Sequence, residues 1–163
     1  MTKQELYLKT MFCCMACKTM FCCMACDGNI AQEEIKTVED FAMQTSIFKE
    51  LDVENMLNTY VSAINQKGAL FLRRYLNELS EEKLTSDEEL QIINLSIRMI
   101  EADNRIEYSE VKFFKKIRSR LSVSDEQILA HHPDKEDFLL PDIDAMEEPV
   151  WNENIVFANI RLN

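Results

Sequence analysis

The sequence predicts an all-α protein with one folded domain, and three observations lead to that prediction. The first 130 residues contain two glycines and no proline, so residues that break helices are almost absent there. Apolar residues recur at helical spacing through the same region. One helix–turn–helix pattern also occurs twice, around Asp27 and around Asp103, with an offset of 76 positions. At 163 residues and 47% apolar content, the chain is long enough for one domain with a core and too short for two.

The chain divides into a helical domain over residues 1–130 and an extended, acidic C-terminal tail over residues 131–163. In the tail, Asp and Glu outnumber Lys and Arg eight to two, and three prolines oppose helix formation. The alternation of Val156, Ala158, Ile160 and Leu162 predicts a half-buried strand. Because an all-α domain offers no ladder partner, we expect this strand to dock along a groove or to pair with another chain.

The first helix begins with a capping box and carries a tandem repeat. In Thr2-Lys3-Gln4-Glu5, the Thr and Glu side chains can each accept a backbone N–H at the helix start. Residues 10–18 and 19–27 then match at eight of nine positions, and we infer that one copy is an insertion. Because nine residues turn a helix through about 900°, the two copies face opposite sides. We therefore expect Phe12, Cys13 and Met15 to overhang the next helix or to form an outward apolar patch.

Helical periodicity predicts about seven helices in all. A second capping box is predicted to open the fifth helix at Ser86, with Glu89 as its acidic partner, and a third to open a short helix at Ser124. The fifth helix is apolar on most sides, so we expect it to be the central one. Between the first helix and this short seventh one, the predicted helices span about residues 31–45, 53–65, 68–79, 87–102 and 107–121.

The two repeated turns each pass through a residue that tolerates a positive φ, Gly28 in one and Asn104 in the other. An isoleucine two positions later, Ile30 or Ile106, is expected to pin each turn to the core. The repeat predicts two three-helix units related by a pseudo-two-fold axis. It leaves open whether the two turns share one end of the bundle or lie at opposite ends.

Around these turns the chain resembles the TerB-like family, which is named after tellurite-resistance proteins and includes a domain of membrane-anchored DnaJ-like co-chaperones. The resemblance covers roughly residues 1–130. It implies a cytosolic, non-enzymatic helical domain that works in stress response and whose acidic turns hold a divalent metal. The residues that carry it are Ala25-Cys26-Asp27-Gly28-Asn29-Ile30 with Glu34, and Ala102-Asp103-Asn104-Arg105-Ile106 with Glu110.

Two interpretations fit the carboxylates Asp27, Glu34, Asp103 and Glu110. As helix caps, the aspartates accept backbone N–H groups of the following helix, and the glutamates lie at its positive dipole end. As a metal site, the four carboxylates hold a weakly bound divalent cation, Ca²⁺ or Mg²⁺, which requires several oxygens at one point. One turn alone cannot form a full EF-hand site, because Cys23 and Ala25 stand where the first two oxygen ligands belong.

The six cysteines are interpreted as core residues. Cys14 and Cys17, and Cys23 and Cys26, have the spacing of zinc ligands, but they lie in a predicted helix and arise from the duplication. Reduced cysteine packs well as a small apolar residue. No catalytic triad or phosphate-binding loop is found in the sequence. We therefore predict a protein that is not an enzyme; the alternative is a metal-dependent hydrolase or a cysteine-based metal or redox protein.

The net charge of −11 indicates which partners the chain favours. Nucleic acid and anionic membranes are disfavoured, because there is no excess of cations to displace their counterions. Lys18 interrupts the apolar run of the first helix, so direct membrane insertion is not expected. We predict a cytoplasmic interaction or adaptor module with a protein partner. Self-association through the first helix or the C-terminal tail is a further expectation.

Overall fold

The computed structural model describes residues 2–44, 51–141, 151 and 154–162, and it confirms the all-α prediction. Within these residues the chain forms eight helices and no strand. Helices α2 to α6 begin and end within two residues of the predicted positions, whereas α8 was not predicted. The helices are α1 (Lys3–Ala25), α2 (Gln32–Gln44), α3 (Val53–Lys67), α4 (Ala69–Glu81), α5 (Ser86–Glu101), α6 (Tyr108–Ser119), α7 (Asp125–His131) and α8 (Glu136–Leu139).

The capping boxes of α1 and α7 form as predicted, but that of α5 begins one residue earlier. Thr85, not Ser86, is the N-cap. Its hydroxyl oxygen accepts the backbone N–H of Glu88, and its own backbone N–H donates to the Glu88 carboxylate. Glu89 is thereby released from the capping role. Its carboxylate instead accepts the backbone N–H groups of Ser122 and Val123 at 2.8 and 2.9 Å. This contact ties the start of α5 to the segment before α7.

Helices α1 and α5 pack side by side at the centre of the bundle. The middle and C-terminal part of α1 is buried, and so is most of the C-terminal half of α5. The buried Tyr75 of α4 meets α1 through a 2.6 Å hydrogen bond between its hydroxyl and that of Thr19. The prediction of a buried central α5 therefore holds, but α1 shares the centre.

The predicted overhang of α1 exists but begins nearer the N-terminus than expected. Cys13 and Met15 are buried, so the prediction that they lie outside the bundle is wrong. The residues that project are Leu6, Tyr7, Leu8 and Met11, each more than 40% exposed. At 1.5 Å per residue α1 is about 35 Å long and α5 about 24 Å, so α1 is longer than α5 by about two turns.

Helical packing continues beyond residue 130. Phe138 of α8 is buried, and its ring lies 5.5 Å from that of Phe114 in α6. This contact docks the short helix onto the bundle.

In residues 155–162, the tail segment, the predicted two-residue alternation of burial is wrong, and no ladder forms among the described residues. These residues dock along a helix, which is one of the two placements expected for them. They lie along α3 and are held there by side chains of that helix. The buried residues are Phe157 and Ile160, whereas Val156 is 74% exposed. The two buried residues are three positions apart, whereas a strand buries every second residue. The reason is that the side chains of α3 that hold the segment bind its backbone at positions 157 and 160.

Helix α1 is long and apolar enough to cross a membrane by length and composition alone. Its place in the bundle accounts for that character, because 61% of its most apolar window is buried inside the fold.

Candidate metal centre

The two repeated turns have matching backbone geometry. Turn 1 comprises residues 26–31 and turn 2 residues 102–107. Gly28 has φ of 86° and Asn104 has φ of 59°, so both turns pass through the left-handed region as predicted. In each turn the aspartate accepts the backbone N–H two residues ahead, at 2.9 Å from Asn29 to Asp27 and at 3.0 Å from Arg105 to Asp103. These bonds close the turns themselves; they do not cap the following helices as one interpretation had it.

The two turns lie at the same end of the bundle, which answers the question that the sequence left open. Oxygens of Asp27 from turn 1 and of Glu107 and Glu110 from turn 2 and α6 lie within 4.8 Å of one another. We call these three residues the acidic cluster. Glu107 was not among the predicted ligands. Its position three residues before Glu110 at the start of a helix is a signal that could have identified it, since such residues share a face.

Solvent exposure differs across the acidic cluster: Glu110 is buried, Asp27 is half-buried and Glu107 is exposed. Glu110 is 5% exposed, and its Oε2 atom has no hydrogen-bond partner in the part of the chain that the structure describes. Burial, together with the smaller effect of the nearby Asp27, Asp103 and Glu107, raises the pKa of Glu110 from 4.5 to about 8. Burial likewise raises the pKa of Asp27, with smaller contributions from Glu107 and Asp103. No lysine or arginine forms an ion pair with Asp27 or Glu110 among the described residues.

Glu34 and Asp103, the other two predicted ligands, stand beside the acidic cluster and not within it. Glu34 is 5% exposed, and its Oε1 accepts the backbone N–H of Ala31 at 2.8 Å, so it caps the start of α2. Burial raises its pKa to about 8, a net shift that also includes the lowering effect of the hydrogen bond from Ala31 and the raising effect of Asp27, Glu110 and Asp103. Glu34 is thus electrostatically part of the site and locally a capping residue.

The separations in the acidic cluster suit a hard divalent cation. Opposite oxygens around Ca²⁺, at about 2.4 Å from the ion, are up to about 4.8 Å apart, and around Mg²⁺ about 4.2 Å apart. Three carboxylates supply half of a six-oxygen shell or less, so water would complete it. A cation there would offset the cost that burial and mutual repulsion place on the charged forms of Asp27 and Glu110.

Cys23 and Cys26 lie near Glu34 and Glu110, and four of the six cysteines are buried in the core along α1. Burial raises the pKa of Cys13 to about 11 and those of Cys17 and Cys23 to about 12. The pKa of Cys26 is raised well above its ordinary value by burial and by nearby acidic groups. Protonated thiols are weak nucleophiles and weak metal ligands, which favours the packing interpretation.

Comparisons with known proteins agree with this architecture. A family model described as tellurite resistance protein TerB matches residues 15–132, a stretch that contains both turns and the whole acidic cluster. The tail segment lies outside it. Neither a comparison with curated proteins nor one with solved structures gave a significant match.

Proposed function

The chain belongs to the TerB family, and from that premise we propose that it is a non-enzymatic helical interaction module that binds one divalent cation, Ca²⁺ or Mg²⁺, at the acidic cluster. We further propose that it works in the cytoplasm, in a stress response of the kind the family description names, through contact with a protein partner. The cation would join turn 1 to the start of α6 and so stiffen one end of the bundle.

The observation that carries the cation proposal is the state of Glu110. Its Oε2 atom is buried and has no hydrogen-bond partner among the described residues, while Asp27 and Glu107 aim oxygens at the same small space. A buried carboxylate without a partner is costly, and a fold keeps one where it serves a purpose beyond packing. A hard cation would supply the missing partner of Glu110 and would bind Asp27 and Glu107 at the same point.

The alternative of a hydrolase or redox protein receives less support. The raised pKa values of the thiols oppose redox or zinc chemistry at the cysteines. A hydrolytic metal site needs a cleft that admits a substrate beside the ion. Two pockets of the described part of the chain lie elsewhere, one at the N-terminal end of α1 and one beneath the tail segment.

The proposal is tested by calorimetric titration of Ca²⁺ and Mg²⁺ into chelator-treated protein. We expect one cation per chain for the wild type, and at least ten-fold weaker binding for Glu110→Gln, because an amide lacks the charge that the ion neutralises. The matched control is Glu33→Gln. Glu33 is an exposed neighbour of Glu34, so its substitution should leave the affinity unchanged.

The same variants should also differ in stability without cation. Glu110→Gln removes a buried acid from a repulsive cluster, so it should raise the melting temperature in chelator, whereas Glu33→Gln should not change it. Wild-type affinity for cation in Glu110→Gln would refute the proposed site. A loss of binding in Glu34→Gln but not in Glu110→Gln would move the ligand set away from the acidic cluster.

A further inference from the structure

The tail segment is bound to α3 through its main chain. Asn65 exchanges two hydrogen bonds with the backbone of Phe157, donating from Nδ2 at 3.0 Å and accepting at Oδ1 at 2.8 Å. Asn58 makes the same pair with the backbone of Ile160, at 2.9 and 2.7 Å. Glu54 then accepts the backbone N–H of Leu162 at 2.8 Å. Three side chains of one helix thus pair with three residues of an extended segment.

The spacing of these three side chains matches an extended chain that runs antiparallel to the helix. Asn58 and Asn65 are seven residues apart, about 10.5 Å along a helix. Positions 157 and 160 are three residues apart, about 10 Å along an extended chain. From Asn58 to Glu54 the helix advances about 6 Å, and two extended residues cover about 6.6 Å. The register is therefore a property of the helix surface and depends on no particular side chain of the bound segment.

Selectivity for the bound segment comes from its buried side chains. Phe157 and Ile160 are 8% and 3% exposed. Ile155 packs against turn 1, where its Cδ1 atom lies 2.8 Å from the position that a Cβ on Gly28 would occupy. Ala158, Asn159 and Arg161 face solvent. The surface therefore selects an aromatic residue followed three positions later by a branched aliphatic one, and it tolerates variation at the exposed positions.

We propose that this surface of α3 and turn 1, the peptide groove, binds an extended segment of a partner protein and that the tail segment is its internal competitor. The partner segment carries the pattern aromatic–x–x–aliphatic–x–aliphatic. Basic residues at its exposed positions suit a chain of net charge −11. This names the partner class for the proposed interaction module and rests on that function, but it does not require the cation.

Two features allow a partner segment to replace the tail segment in the peptide groove. Between residues 155 and 162 no backbone–backbone hydrogen bond joins the segment to the bundle in the described structure, so its release disrupts no helix. A short covalent connection also gives the tail segment an effective concentration of about 1 mM at the groove. The identical segment of a second copy cannot outcompete it at ordinary protein concentrations, whereas a partner segment with better side chains can.

The test uses the full chain and an unlabelled peptide of residues 154–162, which lacks tryptophan. Trp151 is the single tryptophan of the protein, and it lies 6.2 Å from the ring of Phe157 and against Gly68, so its emission reports whether the tail is seated. The tail-weakened variant is Phe157→Ala with Ile160→Ala. By calorimetry in chelator, we expect the peptide to bind this variant at least ten-fold more tightly than it binds the wild type. Emission of the tail-weakened variant should be red-shifted before the peptide is added.

Three control variants distinguish the effects of the groove, the tail segment and the cation site on peptide binding. Val156→Ala with Asn159→Ala alters only exposed positions of the tail and should behave as wild type. Asn58→Ala with Asn65→Ala, added to the tail-weakened variant, should weaken peptide binding at least ten-fold while circular dichroism shows an unchanged helix content. Glu110→Gln should leave peptide binding intact, so failure of the cation site and failure of the groove are distinguishable.

Three results would overturn the proposal. Equal peptide affinity for wild-type and tail-weakened protein would show that the tail does not compete. Peptide binding that survives the two asparagine substitutions would place the peptide elsewhere. A dimer that is lost on tail weakening, seen by light scattering, would show that the occupant is the tail of a second copy.

Discussion

Turn 1 and turn 2 have closely related sequences and the same backbone path, yet one is covered and the other is open. The tail segment packs on Gly28 of turn 1, and Ile30 is partly buried against the core. In turn 2, Ile106 is 50% exposed, so the prediction that it pins its turn to the core is wrong. The physical reason is that no described segment covers turn 2 as the tail covers turn 1. The comparison shows that a repeated motif fixes a local backbone path but not its surroundings.

The largest effect that we expect concerns the carboxylates that both turns bring together. In chelator, the fold retains protons on Glu34 and Glu110 up to about pH 8, whereas the unfolded chain releases them near pH 4.5. The folded state thus binds more protons between these values, so stability should fall as pH rises from 5 to 8. Thermal melts at both pH values check this; a melting temperature that rises over the same interval would contradict it.

Adding the cation should restore the stability that the protein loses in chelator near pH 8. At a cation concentration 100 times its Kd, linkage adds about 2.7 kcal/mol. For a domain of this size, that is a rise in melting temperature of roughly 5–10 °C at pH 8. At pH 5 protons occupy the same carboxylates, so the rise should be much smaller. Equal rises at the two pH values would mean that the cation binds elsewhere.

The next largest effect should come from placing alanine at the left-handed position of each turn. Gly28→Ala places an L side chain in the left-handed region, at a cost of about 1–2 kcal/mol, and pushes against Ile155. Asn104 already carries a side chain at positive φ, so Asn104→Ala should cost less than about 1 kcal/mol. Denaturant unfolding measures both. Only Gly28→Ala should shift Trp151 emission, and a shift in both variants would mean that the tail does not distinguish the turns.

The smallest contrast lies in the two isoleucines. Ile30→Ala should lower the free energy of unfolding by about 1 kcal/mol, because part of its side chain is removed from water. Ile106→Ala should stay within about 0.5 kcal/mol, as most exposed substitutions do. Deleting the tail segment should bring the two values closer together, since it exposes turn 1. Unchanged values after the deletion would show that the core alone buries Ile30.

The local parts of this structure could be predicted from sequence because they depend on neighbouring residues. The capping box at Thr2, the positive φ at Gly28 and the helix bounds are of this kind. The cap at Thr85 was missed because Thr85 and Ser86 are equally suitable N-caps, and the choice depends on where Glu89 is needed. The approach of Glu107 to Asp27 is set by the packing of α1 on α5. The pairing of Asn58 and Asn65 with a distant main chain leaves no pattern in either segment.

The duplication inside α1 has a consequence for how the chain reaches its folded state. Residues 9–17 and 18–26 are identical at every position. Either copy can therefore compete for the same interior sites against α5 while the chain collapses. In the native arrangement Lys18 binds Glu78 at 2.7 Å, but Lys9 could make that contact if the helix were displaced by nine residues. The native position of α1 differs from the displaced one in that only the native position places Asp27 and Gly28 in turn 1.

We therefore expect folding to pass through a misaligned state that competes with the native one, which is a form of frustration. Refolding followed by Trp151 emission should show a slow parallel phase from molecules that escape this misalignment. Phe12→Gln marks the half-buried first copy as different from the second, so it should reduce the amplitude of that phase. A slow phase of unchanged amplitude in this variant, and in a variant that lacks residues 10–18, would assign it to another process.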